Sequence, residues 1–423
     1  MRIPGKRAWE RFSLNLVLLL TGVGGYKLVK LVHEPSLKMA AEIIWQNSKN
    51  VLRITFFFSF FMLNIIGLFI IHLIVSISLR CVHRKTFRRV QRFFEALFVR
   101  LLLSLVQVIA GNELVLSIPD SEKYSNTKLT EEKFRKVFSC ESVDSENEGI
   151  SRDLIMSNHQ IYSDWIYLWA LMDRIDRAGE VKIIMKRSLR QVPIFGWSMR
   201  FFDFVFLNRK WEKDQIHFTK KLTGFVESNS PFCLLIFPEG TTLNHSSLTK
   251  SESFATKLGV SPTSRVLLPR VLGMWEAVKA LDPSLDGIYD LTVGYSGLKD
   301  TDEPENVYTL KQLFFNGFVP EQVHYHLSYI PLKEIPRGSA DEFGDWLREK
   351  FYEKDRLLDE FYKNGKFPNS RSVTKKLCPR YYLLQTILQS IFCVASLYGW
   401  YLFTIRCIFP AIITFITWFW TSK

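Results

Sequence analysis

The chain has little cysteine, and none of it is paired by spacing: six residues in 423 (Cys81, Cys140, Cys233, Cys378, Cys393 and Cys407), with no C-x-x-C. That leaves no legible disulfide framework and no zinc-binding pattern, and suits a reducing cytosolic setting. A nucleophile elbow is also missing. The nearest approach, Gly196-Trp197-Ser198-Met199-Arg200, lacks the second glycine, which counts against a lipid hydrolase. Acidic residues are short as well, 42 against 55 lysines and arginines, for a net charge of +13. Either nucleic acid or an anionic membrane surface could answer that balance. Most of the basic excess lies beside apolar runs, so the membrane is the expected partner and nucleic acid is not.

Phenylalanine is abundant, with 35 residues, and it gathers in long runs. Residues 54–79 form a stretch of twenty-six without a formal charge, and residues 381–405 one of twenty-five. Each exceeds the roughly 20 apolar residues that cross a bilayer as a helix. After Arg406, residues 407–420 are apolar but interrupted by Pro410, which fits a tilted return helix or an interfacial segment. At the start, Arg2, Lys6, Arg7 and Arg11 precede an apolar stretch at 13–26. Without a small-x-small cleavage site, and with Glu10 against a presequence, it reads as a retained anchor or half-span.

Charge beside these runs gives an orientation. Residues 80–100 carry seven basic residues and one acidic, against three and two over 33–53; residues 363–380 carry six basic and no acidic. Basic flanks stay on the cytosolic side, so the middle of the chain is expected to face the cytosol, tethered at both ends. Residues 87–109 have apolar positions at helical spacing. They read either as an amphipathic helix on the membrane surface or as a helix packed on the soluble domain. Residues 119–149 are polar and aperiodic, a loop or insertion.

Beyond that loop, short apolar runs at 153–156, 181–185, 204–207, 233–237, 265–268, 291–295 and 324–329 read as strands. Helical patterns at 164–175, 211–227 and 273–281 lie among them. Strands alternating with helices predict an α/β layered domain with a mixed, largely parallel sheet, here anchored by N- and C-terminal transmembrane helices. The expected divisions are a membrane anchor and amphipathic helix at 1–111, the α/β domain at 112–335, a charged helix and basic linker at 336–380, and C-terminal membrane segments at 381–423.

In such sheets reactive groups collect at strand C-terminal ends, and three segments stand there. The first is Asn158-His159, with Asp164 five residues after the histidine. Five residues on a continuous helix turn the two side chains onto different faces. A turn at His159, with Ser163 capping a helix that starts at Asp164, would bend them together. A carboxylate on one imidazole nitrogen fixes the tautomer and makes the other nitrogen a general base for a hydroxyl. A lone pair at this spacing is more often structural. The second segment is the Phe-rich run ending at Asn208-Arg209, where a guanidinium could grip a phosphate, although a lone arginine is usually plain surface. The third is Phe237-Pro238-Glu239-Gly240-Thr241, where proline stops the strand and glycine permits a tight turn.

In this order and at these separations the segments resemble the glycerolipid acyltransferases of the 1-acyl-sn-glycerol-3-phosphate acyltransferase family. Asn158, His159 and Asp164 match the first motif of that family, Arg209 the second, Phe237 to Thr241 the third, and Leu267-Leu268-Pro269 the fourth. The resemblance covers residues 112–295. It implies His159 and Asp164 as the catalytic pair, and Asn158, Arg209, Glu239, Gly240 and Thr241 as the acceptor-binding set. Lys186 is a further candidate for the oxyanion or for a coenzyme A phosphate. The substrates implied are acyl-CoA and a lysophospholipid, with no metal and no cofactor beyond acyl-CoA as co-substrate. The implied location is the endoplasmic reticulum membrane, with the lipid droplet as a second setting.

One position departs from the pattern. Thr242 stands where the family commonly carries arginine, and in this the chain looks like the branch acting on lysophosphatidylinositol and lysocardiolipin. A lysophosphatidylinositol-like acceptor is therefore the expectation, with residues 244–257 helping to select the headgroup. Lysophosphatidic acid is the alternative acceptor. A catalytically dead, membrane-anchored lipid-binding scaffold is the non-enzymatic one, and an activity assay separates it.

Overall fold

Strands form where the chain offers short runs that can be buried on both faces. All five residues of Phe232–Ile236 and all nine of Gly287–Tyr295 are buried, as expected of strands covered by helices on each side rather than alternating toward water. In the computed structural model, residues 35–80, 84–109, 111–120, 151–376, 379–410 and 413–414 are described. The expected anchor at 13–26, nearly all of the loop expected at 119–149, and part of the 407–420 tail lie outside them.

The chain divides into two units, Met1–Leu63 and Asn64–Lys423. Of the first, the described residues form one helical stretch, the beginning of helix α1 (Pro35–Arg80). The second unit holds the remainder of α1 and everything after it. Its elements are α2 (Arg84–Ile109), β1 (Glu113–Pro119), β2 (Arg152–Ser157), α3 (Asp164–Arg174), β3 (Val181–Lys186), α4 (Phe195–Phe201), β4 (Val205–Leu207), α5 (Trp211–Glu227), β5 (Phe232–Ile236), α6 (His245–Leu258), α7 (Val271–Leu281), β6 (Gly287–Tyr295), α8 (Pro304–Val307), β7 (Gln322–Pro331), α9 (Ala340–Asn364), β8 (Ser370–Lys376) and α10 (Pro379–Phe403).

The eight strands make one sheet in the order β4-β3-β5-β2-β6-β7-β1-β8. Every pair from β4 across to β6 is parallel, and so is β7 with β1; β6–β7 and β1–β8 are antiparallel. The sheet is therefore mixed and largely parallel. On one face, α5, α7 and α9 bury Phe218, Leu222, Met274, Val278, Phe343 and Phe351 against Leu154, Met156 and Leu234 of the strands. On the other layer α2 meets α3, with the rings of Phe98 and Trp169 6.3 Å apart.

Of the two readings for residues 87–109, a helix packed on the domain describes α2. Arg100 Nε donates to Asp173 at 2.8 Å, Gln91 to the Phe201 carbonyl at 2.8 Å, and Lys182 pairs with the buried Glu95. Burial pushes the Glu95 carboxyl up to about 8, against the pull of Lys182. The helix comes so close at residue 179 that a Cβ there would lie 2.1 Å from the Arg92 carbonyl oxygen, so only glycine fits.

Two expectations need correction. Residues 265–268 are not a strand. Asp355 accepts from the backbone of Arg265 and Val266, Glu239 from Leu267, and Ser251 from Leu268; side chains thus take the donors a strand would have given its neighbour. Residues 370–376, expected within a basic linker, form β8 along β1. The helix preceding it, α9, buries Phe343, Leu347, Phe351, Leu358 and Phe361 and so belongs to the core. Among the described residues, two helices, Phe58–Leu79 and Arg380–Arg406, are long and apolar enough to cross a membrane by length and composition.

Candidate functional site

The parallel run β4-β3-β5-β2 brings four strand C-termini to one edge, carrying Arg209, Lys186, Glu239 and His159 respectively. At the usual strand spacing, β4 and β2 lie three steps apart, roughly 14 Å. Arg209 and His159 therefore stand on the same edge of the sheet without touching.

His159 leaves β2 into a tight turn closed by the Asp164 N–H on the Ile161 carbonyl, 3.2 Å. That turn, rather than a Ser163 cap, brings the pair together; Ser163 occupies the cap position but its side chain makes no cap bond. Asp164 Oδ2 stands 2.8 Å from His159 Nδ1 and also accepts the N–H groups of Gln160 (2.7 Å) and Ile161 (3.1 Å). A carboxylate accepts only, so Nδ1 carries the proton and Nε2 is left as the basic nitrogen. Phe237 stacks on the imidazole at 4.2 Å. The histidine side chain is 15% exposed and the aspartate 1%, which leaves one end of the pair open to a substrate and the other sealed.

Glu239 is turned inward. Its residue is buried, Oε1 accepts the His159 N–H at 2.7 Å and Oε2 the Leu267 N–H at 2.9 Å. Burial pushes its carboxyl up to about 8, the two backbone donors and more distant Lys354 opposing and the Asp164 charge adding to the shift. It ties the third motif to the first and to the segment carrying the fourth. Asn158 is likewise turned inward: its amide exchanges two hydrogen bonds with the backbone of Val293 on β6, 2.7 and 3.0 Å. Both residues were expected to bind acceptor; in the fold their side chains hold the His159 turn.

Gly240 has φ +75°, a backbone conformation that calls for glycine, and a Cβ there would stand 3.1 Å from Arg270 Nε. Thr241 is half-buried. Leu243 donates its N–H to the His159 carbonyl at 2.9 Å and Arg270 to Pro238 at 2.8 Å. Thr242 is buried, and its hydroxyl has no partner among the described residues; a guanidinium at that position would have to leave the interior. Arg209 is exposed with φ +63°. Its loop is pinned by the buried Asp214, which accepts from the backbone of Asn208 (2.8 Å) and Lys210 (3.1 Å); burial pushes its carboxyl up, and these bonds together overcome that and hold it below the ordinary carboxylate range. Lys186 is exposed on the same edge.

Residues 245–257 fall in α6, which had no helical expectation, and Asn244 precedes it. Its start is a reciprocal cap between Asn244 and Ser247 and its end is left-handed Gly259, signals that were present in the sequence. Two residues that lie against these motifs carry no sequence expectation. Arg270, following the fourth motif, lies across Gly240. Tyr295, the last residue of β6, donates its hydroxyl to Asp164 Oδ1. No sequence pattern connects it to residue 164.

A cavity of about 940 Å³ lies elsewhere, walled by Phe69, Leu73, Phe87, Arg88 and Trp197 among others. Its wall includes Glu227, the end of α5 just before β5 begins, which puts it toward the opposite edge of the sheet from His159. It is not the site of the His–Asp pair.

Against known proteins, residues 140–296 match the family model described as acyltransferase, and residues 313–389 the one described as acyltransferase C-terminus. The 2-acyl-1-lysophosphatidylinositol acyltransferase of Saccharomyces cerevisiae is 32% identical over 305 residues, 64% of this chain and 75% of that protein. Lysocardiolipin acyltransferase 1 of Gallus gallus is 36% identical over 217 residues, 51% of this chain and 55% of its own. The probable 1-acyl-sn-glycerol-3-phosphate acyltransferase 5 of Arabidopsis thaliana is 34% identical over 266 residues, 63% and 65% of the two chains.

Proposed function

Since this chain belongs to the glycerolipid acyltransferases of the 1-acyl-sn-glycerol-3-phosphate acyltransferase family, we propose that it moves an acyl group from acyl-CoA onto a free hydroxyl of a lysophospholipid. The observation that carries the reading is the His159 Nδ1–Asp164 Oδ2 contact of 2.8 Å at the strand C-terminal edge of a parallel run. With Nδ1 engaged, Nε2 takes the proton from the acceptor hydroxyl while its oxygen attacks the thioester carbonyl. The new ester C–O bond forms, the C–S bond breaks, and the proton passes from the imidazolium to the departing thiolate. A thiol with an ordinary pKa near 8.5 is a good leaving group, so no covalent enzyme intermediate is needed. Arg209, presented on its pinned loop, holds the acceptor phosphate. The exposed Lys186 is placed to meet an anionic oxygen of donor or intermediate.

The acceptor we favour is lysophosphatidylinositol-like. Two facts support this: the buried threonine at 242 leaves a phosphomonoester without the guanidinium usual in the family, and a relative covering much of the chain is a lysophosphatidylinositol acyltransferase. With the two acceptors mixed at equal concentration, the inositol lipid is acylated faster. A tenfold or greater preference for lysophosphatidic acid would reverse the acceptor assignment and leave acyl transfer standing.

The domain works at the cytosolic face of a membrane, in the endoplasmic reticulum. The basic flanks and the exposed apolar side chains of α10, such as Leu384, Leu388, Ile391 and Val394, support membrane attachment, since water leaves no such continuous apolar face uncovered. A glycosylation acceptor inserted within residues 119–149 stays unmodified in cells; its modification would place the domain in the lumen.

A further inference from the structure

We propose that Tyr295 is a positioning residue for acyl transfer, acting through Asp164 on His159; this rests on the reading of His159 as the general base. Tyr295 is wholly buried at the end of β6, and its hydroxyl donates to Asp164 Oδ1. Oδ2 of the same carboxylate already holds the imidazole and two backbone N–H groups. The tyrosine is thus the donor on the second oxygen. Its ring is held in place by Tyr167 at 5.8 Å and Tyr308 at 6.3 Å. Burial and the Asp164 charge keep the phenol protonated well above the ordinary tyrosine range, so it remains a donor wherever the enzyme works.

The hydroxyl has a signed electrical effect. A hydrogen bond to Oδ1 draws off part of the carboxylate charge, and with it part of the pull that Asp164 exerts on a protonated imidazole. Without that bond the imidazolium is held more firmly, and less free base is present near neutrality. Other ionisable groups surround the pair. Glu239 reaches the His159 backbone from the third motif, with its carboxyl pushed up to about 8. From α9, Tyr362 donates to Gln160 at 2.5 Å, Arg265 lies 5.6 Å from that ring, and Lys354 acts on Glu239 from further off. Tyr167 and Tyr325 stand behind Tyr295. None of these changes when residue 295 loses only its oxygen, so the difference between two pH profiles isolates the hydroxyl.

The test measures kcat of the full chain in membranes from about pH 5 to 9. Tyr295→Phe is expected to move the acidic limb upward by about 0.5–1 pH unit. Turnover on the acidic limb falls by about three- to tenfold and recovers at high pH, with both KM values unchanged. In an Asp164→Asn background the same change adds less than about twofold, because residues acting through one another are not additive. If Tyr295→Phe does not fold, 3-fluorotyrosine at 295, a stronger donor of nearly the same shape, moves the limb downward instead. An unmoved limb, an equal loss at every pH, or full multiplication with Asp164→Asn overturns the proposal. His159→Ala in the same assay separates the cases: if it is inactive while the tyrosine variants do nothing, only Tyr295 fails, and if it retains full turnover the general-base reading falls with it.

Discussion

Replacing His159 with alanine lowers acyl transfer by about a hundredfold to ten-thousandfold, the usual cost of removing a general base, and leaves the protein folded. Both parts follow from the site. The backbone bonds of residue 159, its N–H to Glu239 and its carbonyl to Leu243, do not involve the side chain and survive the change. What disappears is the partly exposed imidazole, its bond to Asp164 and its stacking on Phe237. Initial rates at saturating donor and acceptor, set beside unfolding midpoints, measure the two effects separately. Turnover within threefold of the unaltered protein would remove His159 from the mechanism.

Replacing Lys354 with methionine destabilises the domain by about 3–5 kcal/mol, the range found when one member of a buried ion pair is deleted. Lys354 is 1% exposed on α9, and its ammonium pairs with Asp290 on β6 while donating to the Leu291 carbonyl at 2.7 Å. Burial holds its pKa below the ordinary lysine value, with Asp290 opposing. Methionine fills nearly the same volume, so the loss reports the charge left on Asp290 rather than a cavity. Because β6 also carries Val293 and Tyr295, activity at elevated temperature falls in parallel. Pairing Lys354→Met with Asp290→Leu recovers much of the loss. A change in unfolding free energy below about 1 kcal/mol would place the pair in a far more polar setting than its burial indicates.

The two variants probe regions that differed in how far the sequence revealed them. The order of motifs, and the placing of His159, Glu239 and Arg209 at strand ends, was legible because each depends on a short local pattern: an apolar run, then a breaker, then a polar residue. Helix α5 was read to its observed ends for the same reason. Strand β8 was not legible. The run Ser370–Lys376 has a single apolar residue, valine, and three basic ones; it is a strand because β1 offers an open edge, and charge is what edge strands carry. Residues 265–268 are the reverse case, apolar enough for a strand yet bound by three side chains from distant positions.

The sequence by itself determined which polar residues stand at strand ends, because chemical identity and local spacing carry that information. It also assigned Asn158 and Glu239 to the acceptor, since a polar residue in a motif looks the same whether it faces ligand or backbone. Only the tertiary structure decided their direction. The fold aims the Asn158 amide at Val293 and the Glu239 carboxylate at His159 and Leu267, where a buried polar group costs free energy unless paired. The same holds for Tyr295, one of 15 tyrosines, which reaches Asp164 across 131 residues of chain. Bonds of this kind depend on which elements become neighbours, and the order β5-β2-β6 is a property of the packed sheet.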